Sequence, residues 1–283
     1  NPDPNPDPNQ ALPTLFKPIM HMLLLVWKHS RYYNTPPCLA VIMCEICNDL
    51  VEQARRFVTA PEIFAIEPPE AVARLQLALR VCEEFKTTFY EFRGKSVAEC
   101  PDNPWQIQVN ALFARLDSFL ERCYNLLNLT QTITQFLKLE KVDVGGNKGE
   151  MLTTSTQEVY RRFMALLGKW QAVTYDVLDV NDPDAIKSFD ADFFDFMEQI
   201  KELEQQLASI LTVGLNDAGT VQGAFKLIDS FGDLLLAKSN KSRVDPYKDF
   251  VLSHLGHWND AGAFYCEFLR RYCPNVQQAP TYH

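Results

Sequence analysis

No segment of this sequence has the order GxxxxGK followed by Ser or Thr, so the backbone cradle that holds nucleotide phosphates is missing. The one glycine-rich run, Gly145-Gly146-Asn147-Lys148-Gly149-Glu150, has the wrong order and follows no clear strand. HExxH and GxSxG are absent, and the five histidines, His21, His29, His254, His257 and His283, form no catalytic constellation recognisable from spacing. Neither an enzyme nor a cofactor is expected. The longest apolar run, Ile19 to Trp27, is broken by His21 and is far shorter than the roughly 20 residues of a membrane span. It reads as a core helix, with His21 a hydrogen-bonded core or boundary residue rather than a base. Basic side chains are the minority, 27 Lys and Arg against 36 Asp and Glu for a formal charge of −9, and no Lys and Arg face with interleaved aromatics appears. That balance excludes nucleic acid and anionic membrane as partners. The N-terminus lacks the basic, apolar and small-residue order of a secretion signal, so a cytoplasmic chain with reduced thiols is expected. The Asn128 and Asn240 glycosylation patterns then carry no meaning.

What is present is helical periodicity. At 283 residues the chain is long enough to bury roughly three quarters of its unfolded surface without disulfide or metal staples. The leading repeat NPDPNPDPN alternates Pro with Asn and Asp, which predicts an extended segment over residues 1–11. Beyond it, Leu39, Ile42, Ile46, Leu50 and Phe57 share one helical face; so do Val72, Leu75, Leu79, Cys82 and Phe89, and likewise Val109, Leu112, Leu116, Phe119 and Cys123. Two heptad-like seams follow, Val159-Phe163-Leu166-Trp170-Val173-Val177 and Phe193-Phe196-Ile200-Leu203-Leu207-Ile210. Both are short, so bundle packing is expected rather than a long coiled coil. Thr35-Pro36, Asn103-Pro104, Asp182-Pro183 and Asp245-Pro246 read as helix starts, and Ser155 with Glu158 as a capping box. Gly94, the Gly145-Gly146 and Gly149 cluster, Gly214 and Gly219 read as helix ends. The only strand-like stretch is Leu139 to Val144, and no solenoid repeat is visible. The expected fold is all-α, about seven or eight amphipathic helices in an elongated array of consecutive bundles.

Two constellations invite chemistry. Cys44 and Cys47 have C-x-x-C spacing, but they sit inside a helical pattern, and the nearest donors in kind are His254 with His257 and Cys266 with Cys273, about 200 residues away. Free Cys commonly behaves as a small buried hydrophobe, which is the reading for Cys44 and Cys47; Cys38, Cys82, Cys100 and Cys123 supply no complementary framework and read as core or helix-surface thiols. The acidic run Asp179 to Asp192 departs from a calcium loop: Pro183, Asp184 and Asp190 fall where a ligand, a glycine and a bidentate Glu are required. It reads as a capped inter-helix loop.

Four segments in order carry a resemblance: LLLVWKHSRYYNTP (Leu23 to Pro36), EICNDLVEQA (Glu45 to Ala54), NPWQIQVNALFARLDSFLERC (Asn103 to Cys123) and KLEKVDVGGNKGEML (Lys138 to Leu152). Together they resemble the tail of an axonemal dynein heavy chain, closest to the outer-arm, beta-type chains, from about Leu12 to about Ser242. The resemblance implies a motor-free segment built of helical bundles that join heavy chains to one another and hold intermediate and light chains, while ATP hydrolysis and microtubule binding lie far downstream. It implies location in the axoneme of a cilium or flagellum. Residues 243–283 depart from the pattern and read as a divergent helical extension. Pro37-Cys38 and Glu150 stand where the family more often has basic residues.

The aromatic cluster Trp27, Tyr32 and Tyr33 is the candidate partner-binding site. Its competing role is to close the first helical hairpin against the helix after Thr35. Two other functions remain open at the level of sequence, a stand-alone helical adaptor and a metal or thiol enzyme built on Cys44, Cys47 and the C-terminal His and Cys residues. No catalytic, cofactor-binding or metal-binding residue is assigned.

Overall fold

A computed structural model describes residues 8–58, 63–142 and 149–217, with Leu227 and Phe231. Among the described residues it is all-α, with six helices and no strand. These are α1 (Pro8–His29), α2 (Pro36–Phe57), α3 (Pro68–Glu99), α4 (Val109–Leu137), α5 (Gly149–Gln171) and α6 (Pro183–Asp217), with a 3-10 turn at Lys138–Lys141. The chain divides into two compact units: residues up to Thr132 with Gln171–Asp195, and Ile133–Trp170 with residues from Phe196 onward.

The first unit is organised on α3. Ala71, Leu75, Ala78, Leu79, Cys82, Phe85, Phe89 and Phe92 are buried along it, a stripe wide enough to receive neighbours on more than one side. α1 lies beside it: Phe16 meets Phe85 edge-on at 5.3 Å, and Lys28 pairs with Glu99 at 2.6 Å. α4 completes the aromatic core, with Phe113 edge-on to Phe89 at 5.1 Å and Trp105, just before α4, stacked on Phe89 at 6.2 Å. Such ring pairs add about 0.5–1.5 kcal/mol each beyond their burial. α1 contains Pro13 and Pro18, neither of which donates to the carbonyl four residues back. Its helicity therefore depends on the packing of Phe16, Met20, Leu24 and Trp27 rather than on a full set of backbone bonds.

A buried cation fixes the return of the chain to this unit. Arg122 on α4 is buried; its Nη1 donates to the Val177 carbonyl at 2.8 Å, and its guanidinium lies 3.8 Å from the Phe189 ring centre on α6. Burial lowers its pKa, opposed chiefly by Asp190 and Tyr175. The loop it grips is built from Asx turns: the amides of Leu178, Asn181 and Asp184 donate to Asp176, Asp179 and Asp182.

In the second unit α5 and α6 run antiparallel. Trp170 packs edge-on against Phe196 at 5.9 Å, and Phe136 at the end of α4 stacks on Phe163 at 4.9 Å. The buried seam Phe196, Ile200, Leu203, Leu207, Leu211 and Leu215 keeps the three-and-four spacing of a bundle.

Several local expectations are corrected. α1 begins at Pro8, inside the segment expected to be extended, because proline is tolerated where the first helical amides have no partner. His21 is exposed on α1 rather than at a core boundary. The buried face of α2 is Leu39, Met43, Cys47, Leu50, Val51 and Ala54, while Ile42, Ile46 and Phe57 are half-buried. Two apolar stripes compete there, and the one with small Cys47 and Ala54 packs inward. Asn103-Pro104 does not start a helix. Trp105 and Ile107 are buried and Gln106 and Gln108 exposed, an extended alternation that delays α4 to Val109. Ser155 lies within α5 and bonds back to the Met151 carbonyl at 3.0 Å, while Glu158 pairs with Arg161 and Arg162, so they form no capping box. Gly149 opens α5, and Gly94 and Gly214 lie inside helices. Leu139 is part of the 3-10 turn rather than a strand. α5 stops at Gln171, so Val173 and Val177 continue the seam by position only; β-branched Val173 and Thr174 and the Asx turns beyond end the helix. Asp245-Pro246, Gly145-Gly146 and Gly219 lie outside the described residues.

Arg122→Ala should lower stability by about 2–4 kcal/mol in urea denaturation, because it strips the Val177 carbonyl of a charged donor and uncovers Phe189. A loss under about 0.5 kcal/mol, the usual range for surface changes, would remove its assigned role. Two of the helical glycines, Gly94 and Gly214, should respond in opposite directions. A Cβ at Gly214 would sit 2.8 Å from a Leu227 methyl and 2.9 Å from a Leu152 methyl, so Gly214→Ala should cost about 1–3 kcal/mol. A Cβ at Gly94 meets nothing within 4 Å, so Gly94→Ala should raise the melting temperature through about 0.5–1 kcal/mol of added stability.

Candidate interaction surface

Residues of the recognisable segments meet in space, and their contacts join helices. Trp27 is 2% exposed, and its Nε1 donates to the Asn103 carbonyl at 2.7 Å. The Asn103 side chain in turn donates to the Asn34 carbonyl at 2.9 Å. One asparagine thus ties the end of α1 and the α1–α2 turn to the loop before α4. Arg115 on α4 donates to Asn48 at 2.8 Å and to Glu52 at 2.7 Å on α2. Three of the four recognisable segments are therefore joined by a few directional contacts that packing alone would not specify. In the fourth, residues 143–148 lie outside the described residues.

The aromatic trio divides. Trp27 is a core residue, whereas Tyr32 is 85% and Tyr33 53% exposed. Ser30 explains their placement: its Oγ accepts from the amides of Tyr32 at 3.3 Å and Tyr33 at 3.2 Å, closing a tight turn that points both rings outward. The hairpin is closed by Trp27 and Asn103 rather than by the tyrosines. Adjacency in sequence groups the three; it gives Asn103 a helix-start role in place of its long-range bonds and gives no sign of Ser30, whose hydrogen bonds have no periodic signature.

The chemically suggestive residues have other partners. Cys47, Cys82 and Cys123 are buried on α2, α3 and α4. Burial pushes the Cys47 thiol up to about 12, with Cys44 next in effect; burial pushes Cys82 up to about 12, with Cys47 next. Cys123 is raised by burial and then by Cys82. Such thiols are protonated near neutral pH and are poor nucleophiles and metal ligands. In the acidic run, Asp179 accepts an Asx-turn amide, and Asp192 accepts from the Tyr175 hydroxyl at 2.8 Å. Asp176, just before the run, pairs with Arg55 at 2.8 Å. Among the described residues no group of three or more His, Cys, Asp or Glu side chains is placed to hold a metal ion. No described helix is long and apolar enough to cross a membrane.

An all-α bundle protein, with polar side chains that join its helices at a few points, is the class that this fold and these contacts define. The family sequence model described as "Dynein heavy chain, N-terminal region 1" matches residues 5–257, and the chain belongs to that family. The match runs past Ser242 into the segment read as divergent. Over 221 residues the chain is 47% identical to "Dynein beta chain, flagellar outer arm" of Chlamydomonas reinhardtii, covering 78% of this chain and 5% of that protein. It is 32% identical over 222 residues to "Dynein beta chain, ciliary" of Heliocidaris crassispina, covering 77% of this chain and 5% of the relative. With human "Dynein axonemal heavy chain 17" it shares 30% identity over 231 residues, 79% of this chain and 5% of the relative. The chain thus spans about 5% of the length of these relatives.

Alkylation should sort the described thiols by burial. At pH 8, iodoacetamide followed by peptide mass mapping should label half-buried Cys38, Cys44 and Cys100 before Cys47, Cys82 and Cys123, with all six reacting in denaturant. Because the folded pKa values of Cys47 and Cys82 are raised above the ordinary 9.0, both states hold these protons below about pH 9. Between about pH 9 and 12 only the unfolded chain releases them, so stability should fall across that window. Equal labelling in the folded state would contradict the packing.

Proposed function

We infer that this chain is a non-motor segment of an axonemal dynein heavy-chain tail. It acts as a scaffold that presents helical-bundle surfaces for association with another heavy chain and for intermediate and light chains. The observation that carries this reading is the family match over residues 5–257, joined to a structure in which the matching segments brace one another. Residues devoted to mutual bracing suit a rigid spacer, and exposed aromatics beside them suit a partner contact. The segment is not itself an enzyme. ATP-driven movement along microtubules belongs, on this reading, to the motor of the whole heavy chain, and the segment works in the axoneme of a cilium or flagellum after synthesis in the cytoplasm.

The test is capture. The purified chain is immobilised and incubated with a high-salt ciliary extract returned to low salt, and retained proteins are identified by mass spectrometry. Dynein heavy, intermediate or light chains should be retained above a helical control protein, and the free chain should hydrolyse no ATP. Retention of none by a folded sample would overturn the scaffold reading in favour of a stand-alone adaptor.

A further inference from the structure

Residues 8–44 contain no Asp or Glu, yet carry Lys17, Lys28, Arg31, His21 and His29, in a chain whose formal charge is −9. α1 lies within this stretch. Its inward face is Phe16, Met20, Leu24 and Trp27. At about 100° per residue, Leu15, Pro18, Met22, Leu25, Val26 and His29 fall on the opposite side as a second stripe. That stripe is exposed: Met22 is 61%, Leu15 50%, Leu25 38% and Val26 36% accessible. It extends along roughly 21 Å of helix. A helix apolar on both sides is ordinarily covered on both, whereas among the described residues the outward residues of α1 stay exposed while its other side packs on α3. At the C-terminal end of the stripe stand Arg31, Tyr32 and Tyr33, residue types that concentrate at interface hot spots.

The charge around the stripe selects the occupant. Lys17 and Lys28 lie on the flank nearest α3, where Glu91 and Glu99 offset them. Exposed Arg31 makes no ion pair among the described residues and His29 is exposed on the apolar ridge, whereas His21 lies on the Lys28 flank within electrostatic reach of Glu99. No carboxylate of α1 or its turn competes for these groups.

We propose that the outward face of α1, ending in Arg31, Tyr32 and Tyr33, docks an amphipathic helix of a partner protein whose apolar ridge lies along Leu15, Met22, Leu25 and Val26 and whose acidic side chains face Arg31 and His29. Anchors at three-, four- and seven-residue spacing are the pattern by which one helix receives another. A second copy of the same face is disfavoured, because in either orientation its α1 and turn offer no carboxylate to Arg31. The proposal deepens the scaffold reading and rests on it for the partner's being a dynein subunit; the docking chemistry stands by itself.

The test uses the full chain and two fluorescein-labelled helical peptides of about eighteen residues, matched to the length of the stripe. Both have a leucine ridge; one is flanked by Glu and the other by Lys. Fluorescence anisotropy at low salt should show saturable binding of the Glu peptide and binding of the Lys peptide about tenfold weaker or less. The double variant Met22→Glu, Val26→Glu should weaken the Glu peptide at least about tenfold, and Arg31→Glu should shift preference toward the Lys peptide. Circular dichroism should show unchanged helicity, since all three positions are exposed. No saturable binding, equal binding of the two peptides, or undiminished binding by the folded double variant would overturn the proposal. Concentration-dependent dimers in sedimentation velocity that vanish in the double variant would assign the face to a second copy and overturn it as well. Extract capture with the same variants separates the two readings. If the wild-type chain retains no dynein subunit, the scaffold reading fails while the peptide titration still decides the docking face.

Discussion

The aromatic run along α3 is the constraint on which the first unit depends. Phe85 and Phe89 touch rings from α1, from α4 and from the segment before α4, so three parts of the chain share one surface. Removing a buried ring from such a site costs about 3–5 kcal/mol through lost transfer energy and the cavity left behind. Proline-bearing α1 could not hold its helix alone, and Trp105 lies in an extended segment whose place is set by stacking on Phe89. Directional contacts then fix what apolar packing leaves free: Asn103 joins α1 and its turn to the α4 approach, Arg115 joins α4 to α2, and Arg122 joins α4 to the loop and α6.

Those contacts explain what the recognisable segments are for. Leu23 to Pro36, Glu45 to Ala54 and Asn103 to Cys123 contribute Trp27, Asn34, Asn48, Glu52, Asn103 and Arg115 to the same set of braces. A sequence signature here records fold geometry rather than a pocket. The outward residues of the same α1 and its turn are left to solvent, which separates the bracing function of a short stretch from its capacity for contact.

The helices of this fold were legible because apolar residues recur at three and four, and the α3 and α4 faces followed directly: Leu75, Leu79, Cys82 and Phe89, and Leu112, Leu116, Phe119 and Cys123, are all buried. Where two stripes share a helix, as on α2, periodicity cannot choose between them, and packing against a neighbour does. Boundaries failed where a local signal met a stronger tertiary one. Asn103-Pro104 has helix-start chemistry, but burial of Trp105 and Ile107 keeps the next residues extended. Gly94 and Gly214 resemble helix ends, but longer apolar seams carry the helices through them. At the candidate site, adjacency in sequence joined Trp27 to Tyr32 and Tyr33; a serine turn separates them, and nothing periodic announces a serine turn.

The central claim is that the recognisable segments brace the bundle while the outer side of α1 and its turn remain available to a partner. Amide hydrogen exchange, comparing the free chain with the chain captured on a dynein assembly, tests it most directly. The account predicts that α3 and α4 exchange slowly in both states and that added protection on capture concentrates in α1 and residues 30–35. Unchanged exchange in α1 and its turn, with new protection confined to α5 and α6, would contradict it.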